Sequence, residues 1–373
     1  MTAFRVFDGH LDLAHNALWL ERELTDPIDA VRGRETACDD GRGTCGVTLQ
    51  AMRAGGVAVC LSTIVARAKP WVDLARRPGR ASGDWPSQAA AHAVGQGQLA
   101  WYHLMHDRGV IRLITTAGEL DDHLTGWDDT SPVGVILTIE GADPVAEPEH
   151  LERWHAQGVR TLMLAHFGKS HYAHGTPAPP LPEGEPRDEH DVPGPLTDRG
   201  LALLAEMDRL AMPLDLSHLS DPSFEQALDV FGGRVYSSHT ACRAICDIPR
   251  NHPDDHLRAI FARDGVVGVP LYTPFLVPAA GYGAKPGRHA TLDDLAAHLD
   301  HLCQLAGDAD HAAIGSDLDG GFGTEDAVRE IGDISRIARI GEALAARGYD
   351  AAAVAAVLGG NWRRFHGQTL PAG

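Results

Sequence analysis

The chain carries little positive charge. Its 32 lysines and arginines face 51 acidic residues, a net charge of −19, and no basic stripe runs through it. Such a chain repels polyanions, which excludes nucleic acid as an expected partner. No stretch approaches the length of an apolar membrane span, so no membrane partner is expected either. The segment Met1 to Arg5 leads straight into a strand, without the charged region and apolar core of a leader, and the cytoplasm is the expected location. Cysteine is sparse. None of Cys38, Cys45, Cys60, Cys242, Cys246 and Cys303 forms a Cys-x-x-Cys pair, and they read as small buried hydrophobes. Cys38 and Cys45 share a Gly/Asp-rich loop and could bridge under oxidation. No linker or internal repeat divides the 373 residues, and a single domain over 1–373 is expected.

What is present is a hydrophobic content of 44%, ample for a large core, and an unusual count of 21 histidines. His92, His103, His106 and His123 fall in polar helical text and read as surface residues. Short apolar, β-branched runs recur between helical stretches: Arg5–Phe7, Val57–Ile64, Ile111–Thr115, Gly134–Ile139, Thr161–Ala165, Pro213–Leu216, Val235–Ser237, Val266–Tyr272 and Ala312–Gly315. Nine is one too many for an eight-stranded barrel. Ile111–Thr115 is the one to discard, being short, interrupted by Arg112 and followed by the helix-like Ala117–Leu124. The remaining eight are separated by segments long enough for crossover helices, as in an α/β barrel of the TIM type. Helices are predicted from Thr197-Asp198, from Thr291, and over Ile334–Ala346 and Ala351–Leu358. A loop rich in Gly, Pro and His runs over about 166–195, with seven prolines between Pro177 and Pro195. After a fourth barrel strand it would lie on the face where active sites form.

The ends of the strands carry the chemistry. Strand one ends in Phe7-Asp8-Gly9-His10-Leu11-Asp12, where His10 and Asp12, two apart on an extended chain, point to the same face. Alone, a His-x-Asp pair is more often a surface turn. The other ends change its weight: Glu140 follows strand three, His166 strand four, His218 strand five, His239 strand six and Asp317 strand eight. In a parallel barrel these ends converge on one rim. Buried there, such charges are costly unless they pair or bind metal. Three imidazoles and two carboxylates, from His10, Asp12, Glu140, His218 and His239, suit zinc, either as two ions sharing a carboxylate or as one ion with an open position.

The ordered set Asp8-Gly9-His10-Leu11-Asp12, Ile139-Glu140-Gly141, Asp215-Leu216-Ser217-His218, Ser238-His239, Arg250-Asn251-His252-Pro253-Asp254-Asp255, Gly315-Ser316-Asp317-Leu318-Asp319-Gly320 and Gly359-Gly360-Asn361-Trp362 resembles the membrane (renal) dipeptidase family of zinc peptidases, within the amidohydrolase superfamily. The resemblance spans nearly the whole chain. It implies a distorted (β/α)8 barrel, organised as a homodimer in the family manner, with two Zn2+ per chain and a dipeptide as substrate. His10 and Asp12 would hold one zinc, His218 and His239 the other, with Glu140 bridging. A hydroxide shared by the two ions would attack the peptide bond. Asp317 would carry the proton, His166 would contact the scissile group and Arg250 would bind the terminal carboxylate, with Tyr272 near the substrate. The sequence departs from the family around Ala165-His166-Phe167-Gly168-Lys169, where a more polar run is usual. A lactonase or deaminase of the same superfamily is the alternative enzyme, although those more often use a His-x-His pair or a bridging lysine. A non-catalytic peptide-binding barrel is the alternative outside enzymes.

Overall fold

The computed structural model describes residues 5–36, 38, 44–71, 83–179, 190–284 and 286–373. Eleven strands lie among them: β1 Val6–Leu11, β2 Val57–Val65, β3 Arg67–Ala68, β4 Asp84–Trp85, β5 Ile111–Leu113, β6 Val133–Glu140, β7 Val159–Met163, β8 Leu214–Asp215, β9 Val235–Tyr236, β10 Val267–Val269 and β11 Ala312–Ile314. All ladders are parallel, in the order β1-β2-β6-β7-β8-β9, with β10 on β11 and β3 on β4. Parallel strands need long crossovers, and the helices between them supply these.

Two seams close the ring. The Ser237–Val267 bridge joins the end of β9 to β10, and the Ser237 and Thr240 amides bond to Val266 and Gly268 carbonyls. Between β11 and β1, the Asp317 amide donates to the His10 carbonyl at 3.1 Å. Glycine is required at the first seam. A Cβ on Gly268 or on Gly315 would stand 2.0 or 1.7 Å from the Ser238 carbonyl oxygen. The eight barrel strands are buried because helices cover their outer faces, so their text reads as continuous apolar runs, as in Val-Ala-Val-Cys-Leu of β2.

One discarded run proves to be a strand. Ile111–Leu113 pairs in parallel with β6 over Val133–Val135. It occupies the part of the β6 edge below Leu137, where β7 begins, so it extends the sheet without entering the ring. His123 also departs from expectation. It is buried, and its Nε2 lies 2.9 Å from the Ala58 carbonyl. Gly134 leaves the room, since a Cβ there would fall 2.7 Å from the imidazole. The helices start where their caps stand: Thr197 accepts from the Gly200 amide ahead of Asp198–Arg209, and Thr291 forms a capping box with Asp294 ahead of Leu292–Ala306. Ile334–Ala346 divides into a 3-10 segment, Ile334–Arg339, and an α-helix, Ile340–Ala346. All six cysteines are free, and every one except the half-buried Cys38 is buried.

Of the long loop, 180–189 lies outside the described residues. The part from 166 to 179 is tied to the barrel: Gly175 bridges Leu219, and the Thr176 amide donates to the His218 carbonyl at 2.6 Å. No described helix is long and apolar enough to cross a membrane.

Candidate metal centre

The strand ends do converge. His10 Nε2 lies 3.7 Å from Asp12 Oδ1, 3.6 Å from Glu140 Oε1 and 3.8 Å from Asp317 Oδ1. Glu140 Oε1 is also 3.3 Å from His218 Nε2, 3.6 Å from His239 Nε2 and 3.6 Å from His166 Nε2. One carboxylate oxygen is thus faced by four imidazole nitrogens, more than its lone pairs can accept from. His10 and Asp12, two residues apart, share a face as the strand period demands.

The backbone under these side chains is held by carboxylates one step back. Asp8 Oδ1 accepts from the amides of His10 (3.2 Å) and Ser316 (2.7 Å), stapling β1 to the loop that carries Asp317. Asp215 Oδ1 accepts from Ser217 and Ser238, both at 3.0 Å, stapling the loop of His218 to that of His239. His218 and Asp317 themselves have positive φ, 66° and 57°. Strain of this kind persists only where surrounding contacts over-determine it, and it clusters at functional sites.

The electrostatics ask for a cation. Burial disfavours charge on His10, yet Glu140, Asp12 and Asp317 outweigh it and lift the ring to about 10. His166, His218 and His239 are pushed well below the ordinary histidine range, chiefly by burial. Neutral imidazoles are what a metal needs. Burial, with Asp12 and Glu140 nearby, raises Asp317 well above the usual carboxylate range. His10 Nε2 and His218 Nδ1 have no hydrogen-bond partner among the described residues. Three overlapping triads have ligand atoms within 4.8 Å of one another: His10, Asp12 and Glu140; Glu140, His218 and His239; His10, His239 and Asp317. The donor set, neutral nitrogens interleaved with carboxylates around one shared oxygen, fits divalent metal.

A cavity of about 240 Å³ opens on this cluster, lined by Asp12, Glu140, His166, His218, Asp317 and Tyr272, among others. Tyr272 stacks on Phe322 and meets Phe275 edge-on. Arg250 stands apart. It is fully buried, is absent from that lining, and lies over the Phe275 ring. Its Nη2 donates to the His239 carbonyl at 2.7 Å, whereas Nε and Nη1 have no partner among the described residues. Two idle donors on a buried cation await an anion.

Sequence reasoning passed over Arg67, Phe167 and Phe322, which also line the cavity. Arg67 follows β2, one of the two barrel strands to which no strand-end His, Asp or Glu was assigned, and that gap was the signal available for finding it.

The family profile described as membrane dipeptidase (peptidase family M19) matches residues 1–370. An uncharacterized dipeptidase of Schizosaccharomyces pombe is 30% identical over 235 residues, covering 61% of this chain and 51% of the relative. Dipeptidase aclJ of Aspergillus oryzae is 30% identical over 271 residues, covering 72% of this chain and 60% of the relative. The chain therefore spans about half to three-fifths of these curated relatives. A crystal structure of a metallo peptidase from Rhodobacter sphaeroides, liganded with a phosphinate mimic of the dipeptide L-Ala-D-Ala, superposes with a TM-score of 0.76 at 25% identity, covering 99% of this chain and 100% of that one.

Proposed function

The chain belongs to the membrane dipeptidase family, and from that premise we propose that it is a metallo-dipeptidase, cleaving L-Xaa-L-Xaa or L-Xaa-D-Xaa dipeptides at a binuclear zinc centre. One observation carries the reading: Glu140 Oε1 sits within 3.3 to 3.6 Å of the Nε2 atoms of His10, His218 and His239. In this reading His10 and Asp12 would hold one ion and His218 and His239 the other, with Glu140 as the ligand common to both. When bound, the metal pair acts as a Lewis acid and lowers the pKa of water from about 15.7 toward ~7.

The remaining groups perform the rest of the hydrolysis. Asp317, buried 3.8 Å from His10, takes the proton from the attacking water. Placed beside the ligand cluster, it holds that proton and then delivers it to the leaving amine. His166 Nε2 faces the cavity beside Glu140 and offers a hydrogen bond to the carbonyl oxygen as it gains charge. Arg250, enclosed behind Phe275, is the group to pair its idle donors with the substrate's terminal carboxylate once that ring moves aside, and such a pair limits substrates to those ending one residue beyond the scissile bond. Tyr272, Phe275 and Phe322 form an apolar wall against a side chain. The Rhodobacter sphaeroides relative, with its L-Ala-D-Ala mimic, supports a D residue at the second position.

The deciding experiment is a panel of Ala-Ala stereoisomers assayed alongside elemental analysis. Two equivalents of zinc with dipeptide turnover support the proposal. A metal-loaded protein that leaves every dipeptide intact and opens lactones or deaminates amines overturns it in favour of the sister chemistries. A protein that binds dipeptides without any turnover overturns it in favour of a binding barrel.

A further inference from the structure

Four imidazoles point their Nε2 atoms at Glu140, and the structure distinguishes one of them. Arg67 Nη1 lies 2.8 Å from His166 Nδ1. A guanidinium has only donors, so at this contact Nδ1 must accept. The ring proton of a neutral His166 then sits on Nε2, the nitrogen that faces the cavity. Arg67 is itself anchored, with Nε 2.7 Å from Asp84 Oδ1 across the β3–β4 pair.

Among the described residues, no pure donor faces Nδ1 of the other three rings. Nδ1 of His239 and of His10 lie 2.8 Å and 3.4 Å from the Ser238 hydroxyl, which can accept from both. His218 Nδ1 has no partner among the described residues. Each of these rings can keep its proton on Nδ1 and present a lone pair at Nε2, the form a metal requires. His166 cannot do so without setting an N–H against the guanidinium.

We propose that Arg67 is a positioning residue that locks His166 as its Nε2–H tautomer, making it the hydrogen-bond donor of the site and excluding it from the metal shell. The proposal rests on the dipeptidase reading only for the use made of the donor. The tautomer itself is a property of the ring.

The test uses zinc-loaded enzyme with 15N-labelled histidine, the His166 ring being assigned by its loss in His166→Gln. Long-range proton–nitrogen spectra are expected to show His166 with Nδ1 bare and Nε2 protonated. Arg67→Met is expected to lose that single pattern and to lower kcat for a dipeptide by about 100-fold, the scale of removing one oxyanion donor, with zinc content intact and KM nearly unchanged. Arg67→Lys, which restores a pure donor, is expected to recover the pattern and most of kcat. A wild-type His166 carrying its proton on Nδ1 overturns the proposal, and this holds even where Arg67→Met fails to fold. Arg67→Met with unchanged tautomer and kcat overturns it as well. The expected tautomer in an enzyme inert to all dipeptides supports the assignment while removing the dipeptidase reading.

Discussion

His218 Nε2 and His239 Nε2 lie 2.9 Å apart, each also within 3.6 Å of Glu140 Oε1. Two lone pairs so close repel unless a proton or a cation lies between them. Bound metal should therefore contribute to folding as well as to chemistry. At free metal about 100 times its Kd, linkage gives ~2.7 kcal/mol. For a chain of this length, losing one ion corresponds to a Tm lower by roughly 3–4 °C and full chelation of both to roughly 7 °C, read by calorimetry. His10→Ala should reproduce the loss of metal. Two full equivalents in that variant by elemental analysis would remove His10 from the shell.

Asp317→Asn keeps the shape of the side chain and abolishes its proton chemistry. It should retain both metals and lose turnover by about 100- to 10,000-fold, the usual range for a general acid–base group. Turnover near wild type in a metal-replete variant would assign the proton to another group.

Arg250 is enclosed, so its contribution must be separated from its packing. Arg250→Ala should lower kcat/KM for dipeptides by roughly 10- to 100-fold, from losing about 1.5–3 kcal/mol of charged hydrogen bonding. A dipeptide amide separates the two effects. In the wild type the amide should be penalised comparably, and in Arg250→Ala that further penalty should vanish. A persisting penalty would place the carboxylate elsewhere.

His366 sits far down the chain from the ligands, stacked on Phe7 and Trp362 with ring centroids 5.6 and 5.8 Å away. Burial lowers its ring to about 3. The unfolded chain binds this proton below about 6.5 while the folded chain does not, so the contribution to stability is complete above that pH and is lost as pH falls toward 3. At about pH 5.5 the loss is ~1.4 kcal/mol. His366→Phe should remove this part of the acid sensitivity. Urea unfolding of both proteins at about pH 7 and about pH 5.5 reads the difference. Equal acid losses would show that the ring is protonated in the fold.

The convergence of these side chains was legible because each ends a strand, and strand ends share one rim whatever their exact bounds. His10, Glu140, His218, His239 and Asp317 converge although β8 and β9 are only two residues long. What escaped the sequence depends on neighbours far along the chain. The run Ile111–Thr115 is short, interrupted by Arg112 and followed by helix-like text, yet the free edge of β6 below Leu137 gives its first three residues a partner. His123 looks polar in helical text, and only Gly134, on another element, shows that a ring fits there. Arg67 lies on a two-residue strand with no periodicity to read. The enclosure of Arg250 behind Phe275 is a tertiary fact with no local trace.

Gly268 and Gly315 sit against the Ser238 carbonyl with no space for a methyl group. Neither glycine lines the cavity, yet Ser238 precedes His239 and Gly315 stands two residues before Asp317. In a library of random variants scored by turnover alone, alanine at either glycine would be indistinguishable from damage to the reacting groups. A map of intolerant positions would therefore draw the active site wider than the set of atoms that meet substrate, and its extra breadth would follow the seam of the barrel.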